Sequence, residues 1–281
     1  MIKKKYVYNP YPQFIQPENR KKRPAFIRYA MKCAAQTDVA RNEIYYTNQL
    51  RHPVTGCILP PRVRRLNEHR ARALRAMVQA MLYHFNIVST LVMASVEKLS
   101  DVCGLSTYSS AGNKSITRAS RLITQFMEPI GLISCQKVWD KILKMYIPKI
   151  IFLKPLFFML FNISQNRLEN VRTKQLKWIN SQLEKQGKNK ITFFEAEEQA
   201  KERHIYAALL SRKSKHTIQK QKNTAIKILQ LEEKYARSYI LNNLVKKYSI
   251  KELCNIGLTN LKRKVNYEYF KLIKLAKNSI P

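Results

Sequence analysis

Residues 95–134 read SVEKLSDVCGLSTYSSAGNKSITRASRLITQFMEPIGLIS, and this stretch predicts two short helices joined by a polar turn. Ser95 is a good N-cap for the first helix, because its hydroxyl can accept a hydrogen bond from a free amide of the first turn. Gly104 ends that helix, since glycine adopts the left-handed conformation freely. The second helix is predicted to begin at Ser115, and Gly131 to end it. Apolar residues recur every three or four positions, so each helix is expected to bury one face.

Strand-like segments flank this helix pair. A β-branched run, Ile87 to Met93, precedes it, and Leu132–Lys137 and Tyr146–Leu153 follow it. Strand, helix, turn, helix and β-hairpin in this order are typical of a winged helix. We therefore predict a winged-helix DNA-binding domain over residues 62–163, in a protein that is mainly α-helical with a small β component.

The exposed face of the second helix is predicted to contain no acidic residue. A helix face that meets only solvent usually mixes both signs of charge. A face of Arg, Lys, Thr, Ser and Gln can instead enter the major groove and contact base edges. The alternative is a winged helix with a purely structural role. The predicted DNA-reading residues are Lys114, Ser115, Thr117, Arg118, Ser120, Arg121, Thr124 and Gln125.

An arginine-rich helix is predicted upstream, over about residues 62–85. Its first half holds six arginines opposed only by Glu68, so we expect this end to be free to contact DNA phosphates. A merely solvated charged face is the alternative. The six arginines are Arg62, Arg64, Arg65, Arg70, Arg72 and Arg75. The phosphate-contact candidates are Arg62, Arg64, Arg65 and Arg70, with Lys141 and Lys144 between the two strands of the hairpin.

The net charge points to a polyanionic partner. Fifty-two Lys and Arg residues against 18 Asp and Glu give +34, with an isoelectric point near 10.1. Residues 1–163 hold 26 basic and 8 acidic groups, and residues 164–281 hold 26 and 10, so the charge belongs to the whole chain. Self-repulsion on this scale opposes compaction unless a polyanion is bound. Duplex DNA is the predicted partner, with an anionic membrane surface or ribosomal RNA as alternatives.

Several functional classes have no motif in the sequence. There is no G-x-x-x-x-G-K-[ST] phosphate loop, and the Cys and His residues lack metal-ligand spacing. We therefore expect no catalytic site, no metal and no cofactor. The most apolar stretch, Ile147 to Ile163, is interrupted by charge and proline, so no membrane span is expected. The scattered cysteines favour the cytoplasm.

The N-terminal 61 residues contain seven of the eleven prolines, which predicts an extended basic arm with a short helix near Ala25–Ala35. This arm is either packed on the body or disordered. The predicted domains are this arm (1–61), the winged helix (62–163) and a basic helical region (164–281).

The C-terminal region is predicted to be mostly helical. Thr192 with Glu195, and Ser249 with Glu252, form capping boxes, and a further helix is expected over about 222–247. The last helix, Thr259 to Lys277, carries a basic cluster that is a candidate DNA contact. A second helix-turn-helix and a packed helical pair are both compatible with this pattern, and aromatic residues at helical spacing favour core packing. The basic cluster is Lys262, Arg263 and Lys264.

The chain resembles the RepA family of replication initiators of IncFII-type plasmids. The resemblance begins at Asn9-Pro10-Tyr11-Pro12-Gln13-Phe14 and continues at Leu59-Pro60-Pro61-Arg62-Val63-Arg64-Arg65. It is most specific at Ser110-Ala111-Gly112-Asn113-Lys114-Ser115-Ile116-Thr117-Arg118-Ala119-Ser120-Arg121 and extends to about residue 200.

This resemblance implies sequence-specific binding at a plasmid origin, recruitment of host replication proteins and a role in copy-number control, without nicking of DNA. The expected location is on plasmid DNA in the cytoplasm, and the oligomeric state is left open. A winged-helix transcriptional regulator is the alternative from another class, and an RNA-binding or ribosome-associated protein is a third.

Overall fold

The computed structural model describes residues 8–18, 22–109, 113–137, 139–140, 145–146, 149–246 and 248–277. It is mainly α-helical with small antiparallel sheets. A π-helical turn at Ile123–Met127 lies between the fifth and sixth α-helices. The α-helices are α1 (Ala25–Gln36), α2 (Ile44–Thr47), α3 (Glu68–Tyr83), α4 (Val96–Val102), α5 (Thr117–Leu122), α6 (Glu128–Ile130), α7 (Pro155–Met159), α8 (Gln165–Lys185), α9 (Phe193–Leu229), α10 (Glu233–Val245) and α11 (Ile250–Lys277). The strands are β1 (Thr107–Tyr108), β2 (Lys114–Ser115), β3 (Ile133–Gln136), β4 (Trp139–Asp140), β5 (Met145–Tyr146) and β6 (Ile150–Leu153).

Helix α3 runs through the main core. Leu74, Met77 and Met81 are fully buried in it, among apolar residues from other helices and strands. The helix begins only at Glu68, where the Asn67 side chain accepts a hydrogen bond from the amide of Arg70. The prediction that it starts at residue 62 is therefore wrong, because the asparagine cap follows the first three arginines of the segment.

The N-terminal segment is packed on this core over its described residues. The predicted short helix is confirmed as α1, which packs against α3 and buries Ile27, Ala30 and Ala34. The ring of Phe14 lies 5.5 Å from that of Tyr83 in α3. The packed-arm alternative therefore applies to residues 8–18 and 22–61.

The first predicted helix of the pair is confirmed as α4. Ser95 accepts a hydrogen bond from the amide of Lys98, and Gly104 takes φ +65° after the helix end. The second helix differs from prediction at its start. Lys114 and Ser115 belong to β2, which pairs with β1, so α5 begins at Thr117.

Strand β6 lies between β3 and a short bridging segment. It pairs antiparallel with β3, with Ile133 opposite Leu153, which confirms the predicted pairing. The predicted strand Tyr146–Leu153 is wrong at its start, because Tyr146 belongs to β5 and pairs with Trp139 of β4. On its other side, the amide of Val92 donates to the carbonyl of Ile151. The predicted strand 87–93 is wrong at its start. Residues 87–89 form a turn, because the Asn86 side-chain oxygen accepts hydrogen bonds from the amides of Val88 and Ser89.

By its internal contacts the chain forms two compact units, Met1–Ala208 and Leu209–Pro281. The predicted three-part organisation stays a prediction about functional parts. In the first unit, the capping box at Thr192 is confirmed, since its amide donates to the Glu195 carboxylate over 2.7 Å.

The second unit contains α10 and α11, packed around a small apolar cluster that includes Ile240, Leu244 and Val265. Its predicted capping box is confirmed, since the amide of Ser249 donates to a Glu252 carboxylate oxygen over 2.8 Å. The predicted single helix over 222–247 is wrong, because residues 230–232 are non-helical and separate α9 from α10.

Candidate nucleic-acid interface

Three polar side chains form an exposed ridge along α5 and the π-turn. Thr117, Arg121 and Gln125 lie four residues apart, so they follow one side of the helix. The opposite side is held in the core by buried side chains, which leaves the ridge facing solvent. The buried residues are Ala119, Leu122, Ile123 and Phe126.

The other hydroxyl-bearing candidates lie beside this ridge. Ser120 and Thr124 are half-buried, and the Thr124 hydroxyl donates to the Ser120 carbonyl over 2.9 Å within the helix. The Ser115 and Thr117 hydroxyls lie 2.8 Å apart at the start of α5. Thr117 is thus more accessible to a ligand than Ser120 or Thr124.

Two arginines from outside the helix lie against the ridge. The Arg70 guanidinium donates to the Gln125 side-chain oxygen over 3.1 Å, and the Arg62 guanidinium lies 5.1 Å from the ring centre of Phe126. Burial lowers the pKa of Arg62; the nearby Tyr46 acts in the opposite direction, and the positive charge of Arg70 lowers the pKa further. The two guanidinium groups are therefore close enough to repel each other.

This arrangement leaves positive charge without local compensation. Across the described residues, no carboxylate forms an ion pair with Arg62, Arg70 or Arg121. Arg64 and Arg65, in the segment before α3, are exposed, whereas Arg62 and Arg70 are half-buried, and the Arg62 guanidinium donates to the Arg64 carbonyl over 3.2 Å. A surface of guanidinium groups without carboxylate partners attracts phosphate and can hold it in a fixed position. We define the basic ridge as Arg62, Arg64, Arg65, Arg70, Thr117, Arg121 and Gln125.

Arg118 does not share this free surface. Its guanidinium is half-buried and donates to two backbone carbonyls, that of Asn9 over 2.6 Å and that of His69 over 2.9 Å. Burial lowers the pKa of Arg118. The expectation of a freely exposed Arg118 is wrong, because this side chain joins the N-terminal segment to α3.

Lys114 is also taken up by contacts within the protein. Its ammonium lies 3.0 Å from a Glu97 carboxylate oxygen and 2.6 Å from an Asp101 oxygen, both on α4. Burial lowers the pKa of Lys114, but the hydrogen bonds to these two carboxylates outweigh burial and raise it. The expectation that Lys114 is exposed on the second helix is therefore wrong, because Lys114 lies in β2 and pairs with two acids of α4.

The arginines further along α3 are paired too. Arg72 and Arg75 lie 3.1 Å and 3.3 Å from Glu68, and Arg75 also pairs with Asp38 over 2.8 Å. Arg41 completes the network at 2.7 Å from Glu68. The expectation that the whole arginine-rich end is free to contact phosphate is therefore wrong for Arg72 and Arg75.

The remaining candidates lie elsewhere. Lys141 and Lys144 fall outside the residues that the structure describes. In the second unit, Lys262, Arg263 and Lys264 are exposed on α11, and the Lys264 ammonium lies 4.8 Å from the ring centre of Tyr248. The cluster on α11 is therefore accessible, and its role in DNA binding stays a prediction.

Two observations concern other kinds of site. In the described ranges, no three His, Cys, Asp or Glu side chains come close enough together to hold a metal ion. Within the same ranges, every helix is too short or too polar to cross a membrane.

Comparison with known proteins gives a consistent result. The model of the IncFII RepA protein family matches residues 2–277. The chain is 78% identical over 274 residues to a probable replication-associated protein repA1 of Buchnera aphidicola subsp. Cinara cedri, covering 98% of this chain and 97% of the relative. It is 53% identical to the protein of the same name from Buchnera aphidicola subsp. Acyrthosiphon pisum, over 100% and 99% of the two chains.

A more distant relative is a replication initiation protein of Escherichia coli, 35% identical over 129 residues, which is 46% of this chain and 43% of that protein. No solved structure matches the chain.

Proposed function

Because the chain belongs to the IncFII RepA protein family, we propose that it initiates plasmid replication by binding duplex DNA sequence-specifically at the plasmid origin. The names of its relatives, replication-associated protein and replication initiation protein, support a role in starting replication. The origin is the DNA segment that an initiator must distinguish from all other sequences.

The basic ridge is the observation that carries this proposal. Arg121 and Gln125 are exposed on one side of a helix, and these residue types recognise guanine and adenine in the major groove. Arg62 and Arg70 lie beside them without carboxylate partners among the described residues, so they can hold the flanking phosphates.

We infer that residues 90–153 act as a winged helix in this binding. Helix α4, helix α5 and the β3–β6 pair follow each other in the required order, and the segment at Val92 pairs with the free side of β6. In this arrangement α5 enters the major groove.

The proposal includes two further functions and a location, and the two functions are those that the resemblance to RepA initiators implies. The protein recruits host replication proteins to the origin, takes part in copy-number control and works on plasmid DNA in the cytoplasm. It acts by binding alone, so it neither hydrolyses ATP nor nicks a supercoiled origin plasmid.

Footprinting on the cognate plasmid, followed by competition binding, tests the proposal. The wild-type chain should protect a defined region, and Arg121→Ala should weaken binding to that region by about 1–3 kcal/mol where a guanine is read. Binding to a scrambled duplex should change much less. Arg203→Ala is the matched control, because it removes the same charge from an exposed position on α9.

The control separates base reading from general electrostatics. We expect Arg203→Ala to affect origin and scrambled duplexes equally. If Arg121→Ala weakens binding to both duplexes by the same factor, the bases are recognised by other residues. Absence of any protected region would contradict origin binding itself.

A further inference from the structure

An exposed stripe on α11 alternates cationic and aromatic side chains. Arg263, Tyr267, Phe270 and Lys274 are spaced four, three and four residues apart, so they lie one per turn on the same side of the helix. All four are exposed, and the two rings keep 68% and 61% of their surface accessible. Aromatic rings this exposed, one turn apart, are not part of the core.

The opposite side of α11 explains why these rings stay outside. Val265 is buried against α10, and Tyr269 and Leu272 pack on the same apolar cluster. The Arg237 guanidinium of α10 lies 4.9 Å from the ring centre of Tyr269 and also donates to the Asn266 side chain. These contacts set the rotation of α11. The prediction that its aromatic residues are core is therefore correct for Tyr269 and wrong for Tyr267 and Phe270.

The charge around the stripe favours an anionic ligand. Residues 259–277 contain six basic residues and one acid, Glu268, whose carboxylate already lies 3.4 Å from the Lys271 ammonium. The second unit as a whole, residues 209–281, holds 17 basic and 4 acidic residues. A second copy of the same stripe would be repelled, because both ends of the stripe are cationic.

We propose that this stripe binds single-stranded DNA, with Arg263 and Lys274 on phosphates and the rings of Tyr267 and Phe270 stacked on bases. In a duplex the base faces are already stacked on each other, so the rings have no free face to contact. In a single strand every base offers one, which is why cationic grooves with exposed aromatics bind single strands with little sequence preference. The rings are separated by about 4.5 Å along the helix axis, comparable to the spacing of successive bases.

This inference rests on the proposed function, because starting replication at an origin requires the two strands to separate. It extends that function from recognising the closed origin to holding one strand of the opened origin. The two activities then lie in different units of the chain, the basic ridge in the first and the stripe in the second.

Fluorescence anisotropy with the full chain tests this proposal on three labelled DNAs of about 20 nucleotides: a mixed-sequence single strand, an abasic single strand and a duplex. The double variant Tyr267→Ala/Phe270→Ala should bind the mixed single strand at least about tenfold more weakly than wild type. It should bind the duplex and the abasic strand as wild type does. Tyr267→Phe, which keeps the ring, should retain single-strand affinity.

Tyr235→Ala is the matched control. Tyr235 belongs to the same unit and keeps 64% of its surface accessible, but its neighbours in sequence include Glu232 and Glu233. Its removal should leave single-strand binding unchanged. The double variant Arg263→Gln/Lys274→Gln should weaken binding to all three DNAs and lower the salt dependence by about one unit of slope per lost contact.

Two results would overturn the assignment. In the first, the aromatic double variant binds the single strand as well as wild type does, or its affinity for the duplex and the abasic strand falls as much as its affinity for the mixed single strand. In the second, the sedimentation coefficient of the aromatic double variant differs from that of wild type while its single-strand binding is unchanged. The stripe would then be a contact between protein chains. Footprinting of the origin duplex with the aromatic double variant keeps the two proposals separate. The protected region should be the same as with the wild-type protein.

Discussion

Arg118 and Arg121 lie one turn apart on α5 and differ in what surrounds their guanidinium groups. Arg121 extends into solvent beside Gln125, whereas Arg118 turns toward the N-terminal segment and donates to the carbonyls of Asn9 and His69. A side chain with these two partners stabilises the fold, and a side chain with no hydrogen-bond partner among the described residues stays accessible to a ligand. One helix therefore has an exposed arginine and an arginine bonded within the fold.

Arg118→Ala should lower the free energy of unfolding by about 1–3 kcal/mol, because the carbonyl oxygens of Asn9 and His69 lose their donor and the bond to Asn9 is partly buried. Urea denaturation followed by circular dichroism measures this change. Arg121→Ala is the control, and its unfolding midpoint should equal that of wild type. Equal stability of the two variants would show that the Arg118 contacts contribute nothing to folding.

The boundary of α3 matters at the scale of the element, because it decides which arginines lie on a helix. Arg62, Arg64 and Arg65 precede Asn67, so their positions follow an irregular segment rather than a helical repeat. This segment lets Arg62 reach back to the ring of Phe126. The start of α3 therefore shapes the basic ridge.

Asn67→Ala should destabilise the protein by about 1 kcal/mol, because the side chain that accepts the Arg70 amide is removed. Asn67→Asp keeps an acceptor at the N-cap and is expected to unfold at the same denaturant concentration as wild type or higher. If α3 instead began near residue 62, alanine would occupy a helix interior and would stabilise the protein. Thermal and urea unfolding distinguish these outcomes by sign.

The π-turn after α5 has a local cause. Pro129 has no amide hydrogen to donate to the carbonyl of Gln125, and the helix widens over Ile123–Met127 just before this proline. The wide turn contains Gln125, whose side chain contacts Arg70. An irregularity of the helix thus lies within the basic ridge.

At the scale of the whole molecule, the few acidic residues are placed selectively. Glu68 and Asp38 neutralise arginines on one side of α3, and Glu97 and Asp101 neutralise Lys114. The excess of positive charge in the first unit is therefore not spread evenly over its surface, and the basic ridge is one part of that surface that carries it.

Binding to duplex DNA should depend steeply on salt. If about 6–10 phosphates are contacted, the affinity should fall about 10³- to 10⁵-fold between 50 and 200 mM salt, because each contact releases condensed counterions. Anisotropy titrations at several salt concentrations give this slope directly. A nearly flat response would contradict a binding surface built from unpaired arginines and lysines.

Local features could be predicted from the sequence alone. The Ser95 cap, the glycine at 104 and the capping boxes at Thr192 and Ser249 each depend on residues within one helical turn, so their pattern is visible in a few neighbouring letters. The predominance of helix and the family resemblance could be recognised too. Helices show in the spacing of apolar residues, and the resemblance shows in short motifs.

The tertiary structure alone decided which candidate side chains are free. Glu97 lies 17 residues from Lys114, Asn9 lies 109 residues from Arg118, and Arg70 lies 55 residues from Gln125, so no local pattern encodes these contacts. A charged residue looks the same in a sequence whether it meets a carboxylate, a carbonyl or water. Only packing brings these distant partners together, and their pairing determines which charges remain available to DNA.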